Sequence, residues 1–562
     1  MTYLKNKCLF FTTSPRTPSK MIPEIRLLNE NLSGKKWDKT TQIKFIDLLS
    51  ESNFFEGHGS PKNKDFSARD RINRSPKALG FVDLKPVIKL TNAGNAFVYG
   101  KRPQEIFLRQ ILKFQLPSPY HVEPDNIVGT FSIKPYLEII RLIRELETLS
   151  FDELKIYGLT LTNYRDFDSV KEKIINFRTE KKEHKGKYKK FADEVWTNVL
   201  LTTFSEKINS GKTKTRETKD NSLKKFLKTK KRNARDYTDA CFRYLRYTGL
   251  FSISHKNRTL SIYPDKVKEV DFILENVSRE PVYVSDMDKY KNYLFDSTIP
   301  ALYTDNIENI KDVILRMSNY TQRELSDKSL DELKDLRDEI VSKHKEAIIN
   351  TQVTEIKSYA LYSEIMDTYN EIISDELYDA PLMLEYNTWR AMTMLDGGKI
   401  KGNFKFDDAG QPLSTAAGNQ PDIECDYDDF VLSVEVTMQN GQRQYESEGE
   451  PVARHFGQLK KKTGKDTYCL FIAPTINHAC LAHFYALNQI KVSYYGGVTK
   501  IIPLNLDQFM RLIDKSYNYP TRPNPENIRQ FLDEAINLET DSADENDWNN
   551  KIQRTVSSWL AA

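Results

Sequence analysis

Gln420-Pro421-Asp422-Ile423-Glu424-Cys425-Asp426-Tyr427-Asp428-Asp429-Phe430-Val431-Leu432-Ser433-Val434-Glu435-Val436-Thr437 reads as two short strands meeting at a tight turn. Asp428-Asp429 supplies the turn chemistry, and the apolar run that follows has the β-branched content of a buried strand. Counting outward from that turn, Asp422 lies six residues before Asp428 and Glu435 six after Asp429. The two carboxylates therefore face each other across the hairpin, with Cβ atoms about 5 Å apart. Strand alternation puts Glu435 and Thr437 on the face opposite Leu432, Val434 and Val436. Like charges so placed destabilise a sheet, and a divalent cation between them turns repulsion into coordination. Mg²⁺ suits the pair, since it takes a couple of carboxylates, several waters and a substrate phosphate. Without a cation, the same residues describe an exposed acidic hairpin.

Other groups converge on this hairpin. A helix starting near Leu384 spaces Glu385, Trp389 and Met392 so that an acid sits on an otherwise apolar face, where it needs a metal or a cation as partner. Downstream, Pro451 reads as the first residue of a helix, with Glu448 in the preceding loop and His455 one turn inside it. His455 is then a candidate base or phosphate contact.

Outward from this centre, the 562 residues divide into four expected regions. Residues 376–562, with short apolar runs between helices, form an α/β domain. Residues 286–375 carry Leu330, Leu333, Leu336 and Ile340 at helical spacing and form an all-α linker. Residues 1–134 and 135–285 each read as an α+β winged-helix-like module. In the first, Phe81-Val82-Asp83 and Val87-Ile88-Lys89-Leu90 flank a Lys85-Pro86 turn, with Thr91 capping a helix. In the second, Ser150 is an N-cap, a helix spans 232–248, and strands at 251–253 and 260–262 flank a basic loop.

Basic residues concentrate in these two modules. Arg232, Arg235, Asp239, Arg243 and Arg246 share one face of the 232–248 helix, preceded by Lys230 and followed by Lys256 and Arg258 in the wing. Arg69, Arg71 and Arg74 mark the first module. An arginine-lined helix ahead of a basic wing suits a major-groove reader, so double-stranded DNA is the expected partner.

Composition narrows the class further. With 39% hydrophobic and 29% charged residues and no run of membrane-span length, a soluble, cytoplasmic protein without a membrane partner is expected. Five scattered cysteines without CxxC spacing argue against zinc. Gly211-Lys212-Thr213 mimics the end of a phosphate-binding loop, but position 206 is Glu206 where that loop requires glycine.

Pro421-Asp422 followed by Glu435-Val436-Thr437 resembles the PD-(D/E)xK nuclease motif. Together with Ala416-Ala417-Gly418-Asn419-Gln420, Glu450-Pro451-Val452-Ala453-Arg454-His455 and Cys469-Leu470-Phe471-Ile472-Ala473-Pro474, the chain resembles the AlwI-type family of type IIS restriction endonucleases. That family includes the large, nicking subunits of heterodimeric enzymes. The likeness continues through Ser14-Pro15-Arg16, Phe66-Ser67-Ala68-Arg69-Asp70-Arg71, Arg232-Asn233-Ala234-Arg235-Asp236 and Tyr247-Thr248-Gly249-Leu250-Phe251.

The resemblance implies a catalytic cluster of Glu385, Asp422, Glu435, Glu448 and His455, with Mg²⁺ held by Asp422, Glu435 and Glu385. It also adds Arg16 to the DNA contacts, and implies two recognition subdomains, a helical linker and a PD-(D/E)xK cleavage domain in a bacterial cytoplasmic enzyme. A cognate DNA methyltransferase, and a small catalytic subunit or second copy for double-strand cleavage, complete the implied partners. The lysine of the wider nuclease motif is replaced by Thr437, which leaves His455 or Glu448 to assist a metal-activated water. The expected function is binding of a short asymmetric duplex site and hydrolysis of a phosphodiester a few base pairs away. The competing class is a DNA-binding regulator whose nuclease-like domain is inactive and serves assembly.

Overall fold

The strands Lys399–Gly402 (β1), Ile423–Asp426 (β2), Phe430–Val436 (β3), Asp466–Ala473 (β4) and Ile501–Asn505 (β5) lie side by side in that order. They belong to a computed structural model that describes residues 2–4, 7–52, 54–55, 61–123, 129–215, 217–218, 220–395 and 398–560. β1, β2 and β3 run antiparallel, whereas β3, β4 and β5 run parallel. Parallel neighbours need long crossovers. Helix Gly441–Thr463 supplies the first and helix His478–Gln489 the second. With helix Ala380–Leu395 before the sheet (α1), these are α2 and α3.

Side-chain alternation divides the core between the two sheet faces. Leu432, Val434, Tyr468, Leu470, Ile472, Ile502 and Leu504 pack with Trp389 and Met392 of α1, and with Phe509, Phe531 and Trp548 from three C-terminal helices. Those helices are Leu506–Asn518, Pro525–Asn537 and Glu545–Ser558. On the other face Cys469, Phe471 and Ala473 pack with Val452, Ala453 and Phe456 of α2 and Cys480 and Phe484 of α3. Ser433 and Glu435 are out of phase with Leu432 and Val434, so β3 turns them toward α2. A sheet covered on both faces explains why β3 and β4 read as continuous apolar runs.

The chain separates into two units, one of Met1–Glu51 with Ser60–Asp338 and one of Ser52–Gly59 with Glu339–Ala562. Over the expected linker the structure is helical, at Met287–Phe295, Ile307–Met317, Leu330–Lys357 and Tyr362–Ile373. The division between units falls within the third of these helices.

In the first unit, helices Met21–Leu32, Lys39–Glu51 and Lys64–Asn73 precede a two-stranded antiparallel ladder that pairs Val82 with Leu90 and Asp83 with Lys89. Thr91 caps the next helix, Asn92–Tyr99, by accepting from Gly94 N at 2.9 Å. A Cβ on Gly94 would lie 1.9 Å from the Phe81 carbonyl oxygen, so only glycine fits. Ser150 forms a capping box with Glu153 at the start of helix Phe151–Ile156. Strands Phe251–Ser254 and Thr259–Ile262 pair across the basic loop, and Thr148–Ser150 joins them as a third strand.

Three helices begin earlier than their sequence signals indicate. The helix expected from 232 starts at Leu223, where Ser222 accepts from Lys225 N at 3.3 Å, and Phe226 and Thr229 extend its buried stripe. α1 starts at Ala380 rather than near Leu384. Pro451 lies inside α2, ten residues after its first residue, and is not the opening residue of that helix. The proline therefore leaves the Ser447 carbonyl without its intrahelical donor, a local cost offset by burial of Val452, Ala453 and Phe456. Arg246 also departs from expectation. It is 4% exposed, because the last turn of the Leu223–Tyr247 helix packs inward with Tyr244 and Leu245. No described helix is long and apolar enough to cross a membrane.

Tyr244 ties this unit together. Its hydroxyl donates to the Pro15 carbonyl at 2.8 Å and lies 2.7 Å from Ser75 Oγ, while its ring packs edge-on to Phe107. Tyr244→Phe should leave both partners buried and unsatisfied, lowering stability of the first unit by about 1–3 kcal/mol in urea unfolding. An unchanged midpoint would remove Tyr244 from this role.

Candidate active site

The β2–β3 hairpin has the register expected from its turn. Ile423 pairs with Val434, Glu424 with Ser433, Cys425 with Leu432 and Asp426 with Val431. Tyr427 N donates to Phe430 O at 3.0 Å, and Asp428 takes the left-handed turn position with φ 66°. Asp428 N also donates to Asp426 Oδ1 at 3.0 Å, an Asx-type contact that fixes the turn. Extending the ladder by one step sets Asp422 across from Glu435. Asp422 Oδ2 accepts from Val436 N at 2.8 Å, so the carboxylate of one strand is held by the backbone of the other.

Asn403 and Arg454 hold the segment that delivers Asp422, and sequence reasoning assigned neither a role. Asn403 N donates to Asp422 O at 2.8 Å, and its side-chain amide donates to Pro421 O at 2.8 Å and Glu424 Oε1 at 3.1 Å. Arg454 of α2 donates to Asn419 Oδ1 and pairs with Glu450 at 3.2 Å. The Glu450–Arg454 spacing of one helical turn was the available signal.

Glu435 is 6% exposed and His455 9% exposed, with His455 Nδ1 2.9 Å from Glu435 Oε1. Burial pushes the Glu435 carboxyl well above the usual carboxylate range, the negative charge of Glu448 adds to the push, and Arg454 opposes it. Burial pulls the His455 imidazole down to about 4; Arg454 acts in the same direction, against Glu450 and Glu448. Both directions favour the neutral forms of this hydrogen-bonded pair. His455 Nε2 is buried and has no hydrogen-bond partner among the described residues.

Glu448 lies within α2, not in a loop, seven residues before His455 and therefore two turns away on the same face. Its charge acts on Glu435, His455 and Cys480. Asp422 and Glu435 both raise the Cys469 thiol, after burial, which places them together beside β4. Glu385 joins differently. It is 7% exposed on α1, which packs on the other sheet face, and its Oε2 accepts from Ala416 N at 2.9 Å. It thus anchors the segment leading to Asp422.

Gln444, fully buried, spans the ends of two strands. It donates to Gln439 O at 2.9 Å and Thr475 O at 2.8 Å, and accepts from Asn477 N at 2.6 Å. Thr437 holds the turn after β3: its N donates to Ile472 O at 3.1 Å, and its hydroxyl accepts from Gln439 N at 3.1 Å. That position supplies no cation to the site.

Asp422 and Glu435 are the two carboxylates that the hairpin register sets across from each other. Among the described residues there is no group of three or more His, Cys, Asp or Glu side chains that could hold one. Two carboxylate ligands, with water for the remainder, match the coordination Mg²⁺ favours.

In the first unit five of the arginines singled out by sequence sit beside acids. Arg16 pairs with Asp236 at 2.7 Å, Arg69 with Asp65 at 2.9 Å, Arg74 with Asp70 at 2.5 Å, and Arg243 with Asp239 at 3.2 Å. Arg71 bonds buried Glu24. Arg232, Arg235 and Lys256 are exposed. Lys230 is half-buried over the Phe204 ring at 4.8 Å, and Arg258 lies over Phe151 at 5.7 Å. Arg246 is removed from the surface by its burial.

Solved structures to which this chain is similar include subunits or domains of restriction enzymes. The small subunit R.BspD6I2 of the heterodimeric restriction endonuclease R.BspD6I is 25% identical, with TM-score 0.30 over 35% of this chain and 99% of that one. The BpuJ1 endonuclease binding domain is 14% identical, with TM-score 0.34 over 52% and 96%. The restriction endonuclease FokI is 12% identical, with TM-score 0.23 over 93% and 99%. No curated protein matches. The family model described as AlwI restriction endonuclease matches residues 77–512, more than three quarters of the chain, and spans the hairpin, α2 and β4. The chain belongs to the AlwI restriction endonuclease family.

Proposed function

We propose that this restriction endonuclease is of type IIS, binding a short asymmetric duplex site and hydrolysing a phosphodiester a few base pairs to one side. The observation that carries the proposal is the buried contact of Glu435 with His455 at 2.9 Å, on the strand whose next backbone N–H holds Asp422. In this reading residues 376–562 act as a PD-(D/E)xK cleavage domain, and the helix–hairpin modules of the first unit act as winged-helix-like readers. A division into two units supports separate reading and cutting.

Asp422 and Glu435 would hold Mg²⁺, with Glu385 setting the path of the Asp422 segment through Ala416 N rather than contributing a third ligand. The carboxylate donors fit a hard cation, and a buried acid raised by desolvation gains from one. When bound, Mg²⁺ supplies a lowered pKa for water and neutralisation of charge on the phosphate.

The chain's own residues do the remaining work. His455 orients Glu435 through Nδ1. Glu448, on the same helical face, would accept a proton. Arg454 holds Asn419 and offsets the negative charge around Glu435. One cluster per chain cuts one strand at a time, so a second copy or a small catalytic subunit would complete a double-strand break. A cognate methyltransferase would protect the host sites.

Supercoiled plasmid incubated with Mg²⁺ tests the proposal. Nicked or linear product with ends at a fixed offset from one sequence is expected, and EDTA should abolish it. No product under any condition would leave the DNA-binding regulator in its place. Asp422→Asn and Glu435→Gln should slow cutting at least about a thousandfold, since a metal supplies several kcal/mol of transition-state stabilisation, while duplex binding in a mobility-shift assay is retained. Loss of binding in Asp422→Asn would mark a structural acid. His455→Ala should slow cutting by roughly a hundredfold or more; full activity at neutral pH would take His455 out of the chemistry.

A further inference from the structure

Segments far apart in the chain meet around one groove in the first unit. The groove encloses about 470 Å³ and is lined by Arg16, Lys20, Glu24, Phe66, Asp70 and Arg71. Phe66 is 51% exposed there, in a chain whose other first-unit phenylalanines are largely buried. Arg16 also reaches the Leu223–Tyr247 helix, bonding Asp236 at 2.7 Å and lying 3.6 Å from Asp239. The same helix fixes the residue before Arg16, because the Tyr244 hydroxyl donates to the Pro15 carbonyl.

The acids are the informative part. Around this groove Arg16 is held by Asp236, Arg71 by Glu24, and Arg74 by Asp70, while Asp239 also holds Arg243. A surface built only to attract phosphates gains nothing from carboxylates, since each repels the backbone it must approach. Base reading has a different requirement. An arginine reads guanine through two parallel N–H bonds, and its planar fork must be held in one orientation to reject other bases. A carboxylate behind the fork supplies that orientation and lowers the attraction to neighbouring phosphates.

Resting on the DNA-reading role proposed above, we propose that Asp236 is a positioning residue for sequence discrimination. It holds Arg16 toward a base edge and away from the DNA backbone, and the groove containing Phe66 and Arg71 receives the duplex beside it. Discrimination then depends on acid-held arginines rather than on positive charge alone.

The test uses the full chain in EDTA, with a randomised duplex pool and the duplex that the wild-type chain enriches from it. Asp236→Asn should bind the pool several-fold more tightly, because Arg16 becomes available to a phosphate. The slope of log K against log salt should steepen by about 0.9, the value for one added phosphate contact. Preference for the enriched duplex should fall, Asp236→Glu should restore both properties, and Arg16→Gln/Asp236→Asn should lack the steeper slope. Unchanged preference and slope in Asp236→Asn would overturn the inference, as would equal loss of affinity for both DNAs. Should Asp236→Asn fail to fold, Arg16→Gln decides: preference must fall without a steeper slope, and an unchanged preference overturns the inference. If the wild-type chain enriches no sequence, the DNA-reading role itself fails, a result separate from any behaviour of the variants.

Discussion

The hydrogen bond from Val436 N to the Asp422 carboxylate is the constraint on which the candidate site depends. It closes a hairpin whose register is set at the Asp428 turn, and it locks the two acidic strands at the position where Glu435 points toward α2. A slip of one residue would send Glu435 into the layer formed by Trp389, Met392 and Phe509 and bring Val434 or Val436 to His455. The geometry of the acids is therefore inherited from the packing of both sheet faces.

Burial explains the electrostatics that follow. A carboxyl group this enclosed is costly to ionise unless a cation or several hydrogen bonds compensate. The chain answers partly, with His455 at 2.9 Å and Arg454 nearby, and Glu448 works against it. Such an arrangement is poorly designed for a structural acid, which would be better served by a close ion pair. It is consistent with the proposal that a hard cation compensates the acid when bound.

Much of this was legible in the sequence because it followed from short-range periodicity. The turn at Asp428, the facing of Asp422 and Glu435, and the caps at Thr91 and Ser150 need only local rules. Helix starts were less legible. The 223–231 turns are rich in lysine and betray their buried side only through Phe226 and Thr229, and Pro451 imitates a helix start although tertiary packing carries the helix through it. Arg246 lies in arginine periodicity, yet the helix end it belongs to is turned inward. Contacts such as Arg16–Asp236 and Asn403–Pro421 join distant segments, and no spacing rule announces them. Within the second unit, Gln444 and Thr437 show the same limit, since their value lies in which strand ends they connect.

The proposal that Asp422 and Glu435 hold a divalent cation has a direct test. Replacing Mg²⁺ with Fe²⁺ and adding ascorbate generates hydroxyl radicals at the bound metal, and mass spectrometry then maps the backbone breaks. The account predicts breaks clustered around 422 and 435, suppressed by excess Mg²⁺ and absent in Asp422→Asn. Breaks confined to other parts of the chain, or breaks at the hairpin that survive both Mg²⁺ and Asp422→Asn, would contradict it.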